Sequence, residues 1–335
     1  MQSKKKAIKR NSSIELLRIL FIVLIMLTHT YGHGSGDITK IYDLGNNFTT
    51  SWNLSLYSLC QLGVTGFMFI SGYYGLHFSI KKLLKLFAVT FFYLLSLDII
   101  FHNLRPHNVI GLMFPYSSWW FISVYFFIML LSPFLEEGFK KISQQEFTVV
   151  LIGLWIYTYF CKFFTTDGGR DAVLLITVYI SARYIRFYPH SIISRYISRG
   201  GAVCLLLIAV IPLLIQIVNF HAHKILNIFT SNNNILYLLG AAFLVIKTES
   251  HHFYSKYINK LATGVLAIYI ITDYQSIREY LDPWLLPYVL EGWGLLIICV
   301  ISILIMLVDN LRRIVFYISG VDKIIDDFSI IINKK

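Results

Sequence analysis

Charge is scarce in this sequence. Of 335 residues only 14% are Asp, Glu, Lys or Arg, and just 18 are acidic, well below the roughly one quarter that covers an ordinary soluble domain. A soluble globule of this length is therefore excluded. Cysteine is scarce too: Cys60, Cys161, Cys204 and Cys299 lie in or beside apolar runs, with no close pair and no metal-ligand spacing. That excludes a disulfide scaffold, and the four are read as buried thiols. Also missing are a linker, a low-complexity tract and a convincing internal repeat, which disfavours inverted-repeat transporter architectures. The longest hydrophilic connection runs only from about Gly32 to Asn53, so residues 1–335 are expected to form a single membrane domain.

What fills the chain is apolar. Hydrophobic residues make up 56%, aromatic residues 16%, and mean hydropathy is +0.65. Apolar runs fall near 14–31, 54–78, 83–101, 119–135, 147–164, 172–185, 202–219, 235–246, 261–277 and 293–308. Most approach the ~20 residues that a bilayer core requires, so the expected fold is all-α, a bundle of about ten transmembrane helices.

The 29 basic residues test that expectation. With the N-terminus inside, 22 of them fall in inside segments, among them Lys81, Lys82, Lys85, Arg183 and Arg186. Six fall outside: Lys40, Arg105, Lys162, Arg170, Lys224 and Arg278. This alternation follows the positive-inside rule and puts both termini in the cytoplasm. The net charge of +11 is thus a matter of topology and anionic lipid, and a nucleic-acid partner is not expected. The first run is long, contains Arg18 and lacks a small-x-small site, so it is read as a retained signal anchor.

That first run, Ile14 to Tyr31, holds Glu15, Arg18 and His29 and no other Asp, Glu, Lys, Arg or His. Eleven helical steps bring Arg18 and His29 to within roughly 20° of one face, about 16 Å apart. Ionisable groups cost on the order of 3 kcal/mol each at the centre of a span and are usually kept for function. Glu15 can pair with Arg18 at i,i+3, and a structural ion pair is the competing reading. His29 can act as a general base toward a hydroxyl, or simply be hydrogen-bonded inside the bundle. His33 follows at i+4; two histidines at that spacing can bind metal, but the sequence positions no third ligand, and no metal is expected.

Further candidates lie downstream. Lys81, Lys82 and Lys85 can hold the phosphates of a nucleotide-like donor or serve as ordinary flanking charge. Trp120 can stack on a sugar ring or belong to an interfacial aromatic belt, and Tyr125, deeper in its span, needs a hydrogen-bond partner. Asp273, at the outer end of the ninth run, can orient His29 as a triad acid does or mark a solvated helix end. Asp98 is a lesser candidate. The small-residue-rich segment from Gly63 to Gly75 is explained by close helix packing or a helix break at a ligand.

These residues resemble the acyltransferase-3 family of integral membrane acyltransferases, including members that O-acetylate surface polysaccharides. The likeness rests on Asn11 to Ile19, on His29 eleven residues after Arg18, and on His33-Gly34. It continues through Phe69-Ile70-Ser71-Gly72-Tyr73, Trp120-Phe121 to Tyr125, Ser132-Pro133, and Ile258-Asn259-Lys260 leading to Asp273. The resemblance implies acyl transfer from acyl-coenzyme A, expected to be acetyl-CoA, to a hydroxyl of a cell-surface or lipid-linked glycan in the bacterial cytoplasmic (inner) membrane. It carries His29 over as the catalytic histidine and Arg18 as an essential donor-side arginine. Catalytic roles are thus expected for His29 and Asp273, donor binding for Arg18, Lys81, Lys82 and Lys85, and acceptor binding for His33, Trp120 and Tyr125. Two departures stand out: many relatives have arginines where this chain has Lys81 and Lys82, and some have histidine in place of Thr272. The alternative class is a glycan-precursor transporter or flippase without acyl transfer. A glycan polymerase is disfavoured by the short outer loops.

Overall fold

The computed structural model describes residues 10–42, 44, 48–103, 119–161, 172–218 and 223–333, and among these the chain is helical with no strand. The first helix, α1 (Ser12–Gly34), starts where the Asn11 side chain accepts the Ser13 N–H and runs unbroken through the apolar stretch. Then come α2 (Thr39–Tyr42), α3 (Phe48–Cys60), α4 (Leu62–Tyr74), α5 (Ile80–Ile100) and α6 (Trp120–Lys141). Helix α7 (Gln144–Trp155) begins at a capping box of Ser143 and Glu146 and passes into a π-helical turn, Ile156–Cys161. The chain continues with α8 (Ala172–Phe187), α9 (Ile192–Val218), α10 (His223–Thr230) and α11 (Ile235–Glu249). It ends with α12 (Lys256–Leu261), a 3₁₀ turn at Ala262–Gly264, α13 (Val265–Thr272), α14 (Gln275–Leu290), α15 (Gly294–Ile318) and α16 (Val321–Asn333).

Among the described residues, seven helical segments are long and apolar enough to cross a membrane: α1, α3 with α4, α5, α6, α9, Ile225–Glu249, and α15. The other three apolar runs take different forms. Run 147–164 forms α7 with its π turn as far as Cys161, the last described residue there, run 172–185 becomes the 16-residue α8, and run 261–277 is broken by the 3₁₀ turn and by Asp273. Protein sheaths α8, whose side chains from Thr177 to Ile185 are all buried. A helix wrapped by neighbours need not match the bilayer thickness on its own.

Helix α1 is the axis of the bundle, packed against α3, α4 and α11 through α15. Two buried clusters lie along it, one toward Tyr31 with α13 and α14, the other toward Ile14 with α4, α8 and α11. Glycine sets the α1–α4 approach. A Cβ on Gly63 would lie 2.8 Å from the Phe21 carbonyl oxygen, and one on Gly66 would lie 2.2 Å from the Phe21 ring. Phe21 is fully buried and cannot retreat.

The outer helices present apolar side chains outward, as α15 does with Leu296, Leu304, Leu307 and Leu311. This corrects the reading of the cysteines. All four are free, but only Cys60 is buried; Cys161 is exposed, and Cys204 and Cys299 are partly so. In a bilayer the outside of a bundle is itself apolar, so membership of an apolar run does not imply burial.

At one end of the bundle, α4 is held by charges that read in the sequence as flanking. Gly75, with φ of 78°, turns the chain away from α4, and Arg183 on α8 donates to the last carbonyls, Gly72 O at 3.5 Å and Tyr73 O at 3.4 Å. Arg183 also pairs with Glu136 on α6 at 2.6 Å, and Glu136 accepts from the Tyr179 hydroxyl at 2.7 Å. Sequence reading missed Glu136 and Tyr179 altogether; a carboxylate inside a positively flanked helix end was the available signal.

Gly66→Ala is expected to lower stability by about 1–3 kcal/mol, because a closely packed site cannot absorb the added methyl. Gly138→Ala, where nothing lies within 4 Å of the new Cβ, should leave stability unchanged or slightly improve it. Thermal unfolding of the detergent-purified variants measures both, and equal midpoints for Gly66→Ala and wild type would contradict the close-approach argument.

Candidate functional site

Toward the C-terminal end of α1, His29 and His33 stand one turn apart with ring centroids separated by 5.4 Å. The turn between α13 and α14 brings Asp273 to them. Its Oδ1 lies 3.7 Å from His29 Nδ1 and accepts from Arg278 at 3.1 Å. Only 3% of Asp273 is exposed, which removes the solvated-helix-end reading. His29 and Asp273, expected to act together, are thus side by side, with His33 next to them. Arg278 was counted in the sequence only as an outer basic residue; its position five residues after Asp273, near one helical turn, was the signal for the pairing.

Asp98 has a different place. Buried on α5, it accepts from the Tyr274 hydroxyl at 2.7 Å, and the Asn103 amide bonds both Tyr274 and Ser276. The residue after Asp273 is thereby tied to α5, which fixes the turn that presents the carboxylate. Thr272 is buried and turns its hydroxyl back to the Ile268 carbonyl. On α14, Asp282 is buried against α1, within 3.5 Å of the Thr30 hydroxyl. Its other oxygen has no protein partner among the described residues. Burial first, and the neighbouring Asp273 charge second, push the Asp282 carboxyl up to about 7.

The α6 candidates join this end through rings. Tyr269 on α13 lies 6.3 Å from His29 and 6.1 Å from Phe121, and Phe121 packs at 6.1 Å against both Trp120 and Tyr125. Trp119, just before Trp120 in the chain, is 1% exposed within the core. Trp120 is partly buried.

At the other end of the polar face, Arg18 sits 3.4 Å from both carboxylate oxygens of the buried Glu15. The structural ion pair is therefore present, yet it does not use the whole guanidinium, whose side chain is 32% exposed. Tyr74 and Tyr125 both lie within the field of Arg18, and Ser71 approaches the Tyr125 hydroxyl. Tyr74 donates to Glu249 at the end of α11. Tyr125 thus lies within the electrostatic reach of Arg18 and connects, through Phe121 and Tyr269, to the His29 end.

The lysines are placed elsewhere. Lys81 pairs with Asp326 at 2.7 Å and Lys85 with Asp322 at 3.1 Å, both on α16 and both exposed. Lys82 is exposed between them.

In comparison with known proteins, residues 11–309 fit a family model described as an acyltransferase domain. No curated protein and no solved structure matches the chain.

Replacing Arg278 by Gln should leave the buried Asp273 carboxylate without its guanidinium. The expected loss is about 1–3 kcal/mol, below the full cost of breaking a buried pair because Arg278 is partly exposed. Adding Asp273→Asn should recover part of it, a coupling that a double-mutant cycle of thermal unfolding would detect. Additive losses would mean the pair contributes nothing.

Proposed function

The chain belongs to the acyltransferase-3 family, and on that premise we propose that this membrane acyltransferase moves an acetyl group from acetyl-CoA to a hydroxyl of a cell-surface or lipid-linked glycan. The observation that carries the reading is the buried carboxylate beside a histidine on a helix that also bears an arginine: Asp273 at 3.7 Å from His29, with Arg18 about 16 Å along the same face.

The chemistry follows from those groups. His29 takes the proton of the acceptor hydroxyl as the oxygen attacks the acyl carbonyl; the C–O bond forms, the C–S bond breaks, and the proton passes to the departing thiolate. Asp273 favours the transient imidazolium, and the 3.7 Å gap leaves room for the pair to tighten when the substrates bind. Arg278 keeps the carboxylate charged and in place. Arg18, only partly engaged by Glu15, is the donor-side cation, and the ring row from Tyr125 to Tyr269 borders the space between donor and acceptor. Partly buried Trp120 offers a face for the sugar. His33, beside His29, is an acceptor contact. The exposed Lys81, Lys82 and Lys85 attract the donor's phosphates.

Membranes carrying His29→Ala should transfer label from radiolabelled acetyl-CoA to polysaccharide about 10²–10⁴-fold more slowly than wild type at equal expression, the usual worth of a positioned base. An unchanged rate would refute the base assignment. Wild-type membranes that move glycan without consuming acetyl-CoA would instead favour the transporter class.

The lysine assignment has its own test. Asp322 and Asp326 compete with any anionic donor for Lys85 and Lys81, so Asp322→Asn with Asp326→Asn should lower the KM for acetyl-CoA about two- to fivefold, the scale of exposed ion pairs. An unchanged KM would remove the lysines from the donor site.

A further inference from the structure

We infer that the outer end of α1 is a binding site for a divalent transition-metal ion, with His29, His33 and Asp273 as its ligands and zinc as the ion its donors suit best. The sequence supplied two histidines at i,i+4 and no third donor. The fold supplies it: one ligand atom from each of the three residues lies within 4.8 Å of the other two. Around a tetrahedral ion with bonds of about 2.0–2.1 Å, ligand atoms stand roughly 3.4 Å apart. The His29–Asp273 separation of 3.7 Å is already near that value, and side-chain rotations that together shift the ligand atoms by at most about 1.4 Å bring the longest, within 4.8 Å, to it.

The donor set is selective. Two imidazoles and one carboxylate suit zinc, cobalt or copper, whereas magnesium demands oxygen ligands in near-octahedral array. Three protein ligands leave a fourth position for water or substrate. The carboxylate comes from the turn between α13 and α14, held in position by the Asp98–Tyr274 bond. Asp273 also accepts from Arg278, a like charge to the ion, but that side chain is 26% exposed and can turn outward as the ion enters.

The consequence for the proposed reaction is inhibition. An ion that occupies the lone pair of His29 removes the general base, so zinc on the outer side should stop transfer reversibly. This half rests on the acyl-transfer reading; binding itself does not.

Equilibrium dialysis of the purified full chain in detergent against Zn²⁺ tests the binding. Wild type should hold one ion that His33→Ala and Asp273→Asn each bind at least about tenfold more weakly, while His251→Ala with His252→Ala keeps it. Equal affinity and stoichiometry in wild type and His33→Ala would overturn the site. Should those variants fail to fold, Co²⁺ added to wild type gives a second reading: intense visible d–d bands of a four- or five-coordinate ion support the site, and the weak bands of an octahedral ion, or none, refute it. Membrane acetyl transfer then separates the two halves. Transfer that saturating zinc stops and a chelator restores supports inhibition, and transfer untouched by bound zinc overturns it. Absence of transfer by metal-free wild type that binds the ion in dialysis refutes the acyl-transfer reading, and the inhibition with it, while supporting the metal site.

Discussion

An ionisable side chain at membrane depth must be answered by another group, because the hydrocarbon cannot solvate it. Helix α1 shows what that requirement does to a fold. Arg18 is met by Glu15 on its own helix, a local solution that needs no neighbour. His29 is met by Asp273, and that solution reaches across the bundle. Asp273 needs Arg278, and the turn that carries it is tied by Tyr274 to Asp98 on α5. One histidine thus obliges α1, α5, α13 and α14 to keep a fixed relation. Seating α1 in the middle of the bundle, against α3, α4 and α11 through α15, makes that relation rigid.

The same helix explains why part of the structure was legible from sequence and part was not. The face shared by Arg18 and His29 follows from helical periodicity alone, and the structure forms α1 as one uninterrupted helix over that stretch. Glu15–Arg18 was readable for the same reason, being three residues apart. Asp273 was a candidate because a carboxylate at the end of an apolar run is conspicuous, but its contact with His29 spans most of the chain and no local pattern encodes it. Arg183 was misjudged differently. Charge counting treats every basic residue near a helix end as flanking, whereas this one is buried and caps α4. Cys161 erred in the opposite direction, since apolar sequence was equated with a buried position.

Glycine and short helices complete the arrangement. Gly63 and Gly66 bring α4 onto α1 at Phe21, and the far face of α4 receives α8, with Gly72 close to the Tyr179 carbonyl oxygen. A layered order results, with α1 inside, α4 around it and α8 around α4. Helix α8 can be short because its partners, rather than lipid, cover it. The aromatic row from Tyr125 to Tyr269 runs beside this stack and bridges the two polar ends of α1 without adding charge between them.

The pairs between α5 and α16 follow other physics. Lys81–Asp326 and Lys85–Asp322 are about half exposed, so dissolved ions reach them, and at 0.1 M salt such attractions fade over about 10 Å. The pairs Asp273–Arg278 and Glu136–Arg183 are shielded from that screening by burial. Rising ionic strength therefore loosens the final helix while leaving the interior pairs intact, and the molecule has one electrically soft margin joined to a hard centre.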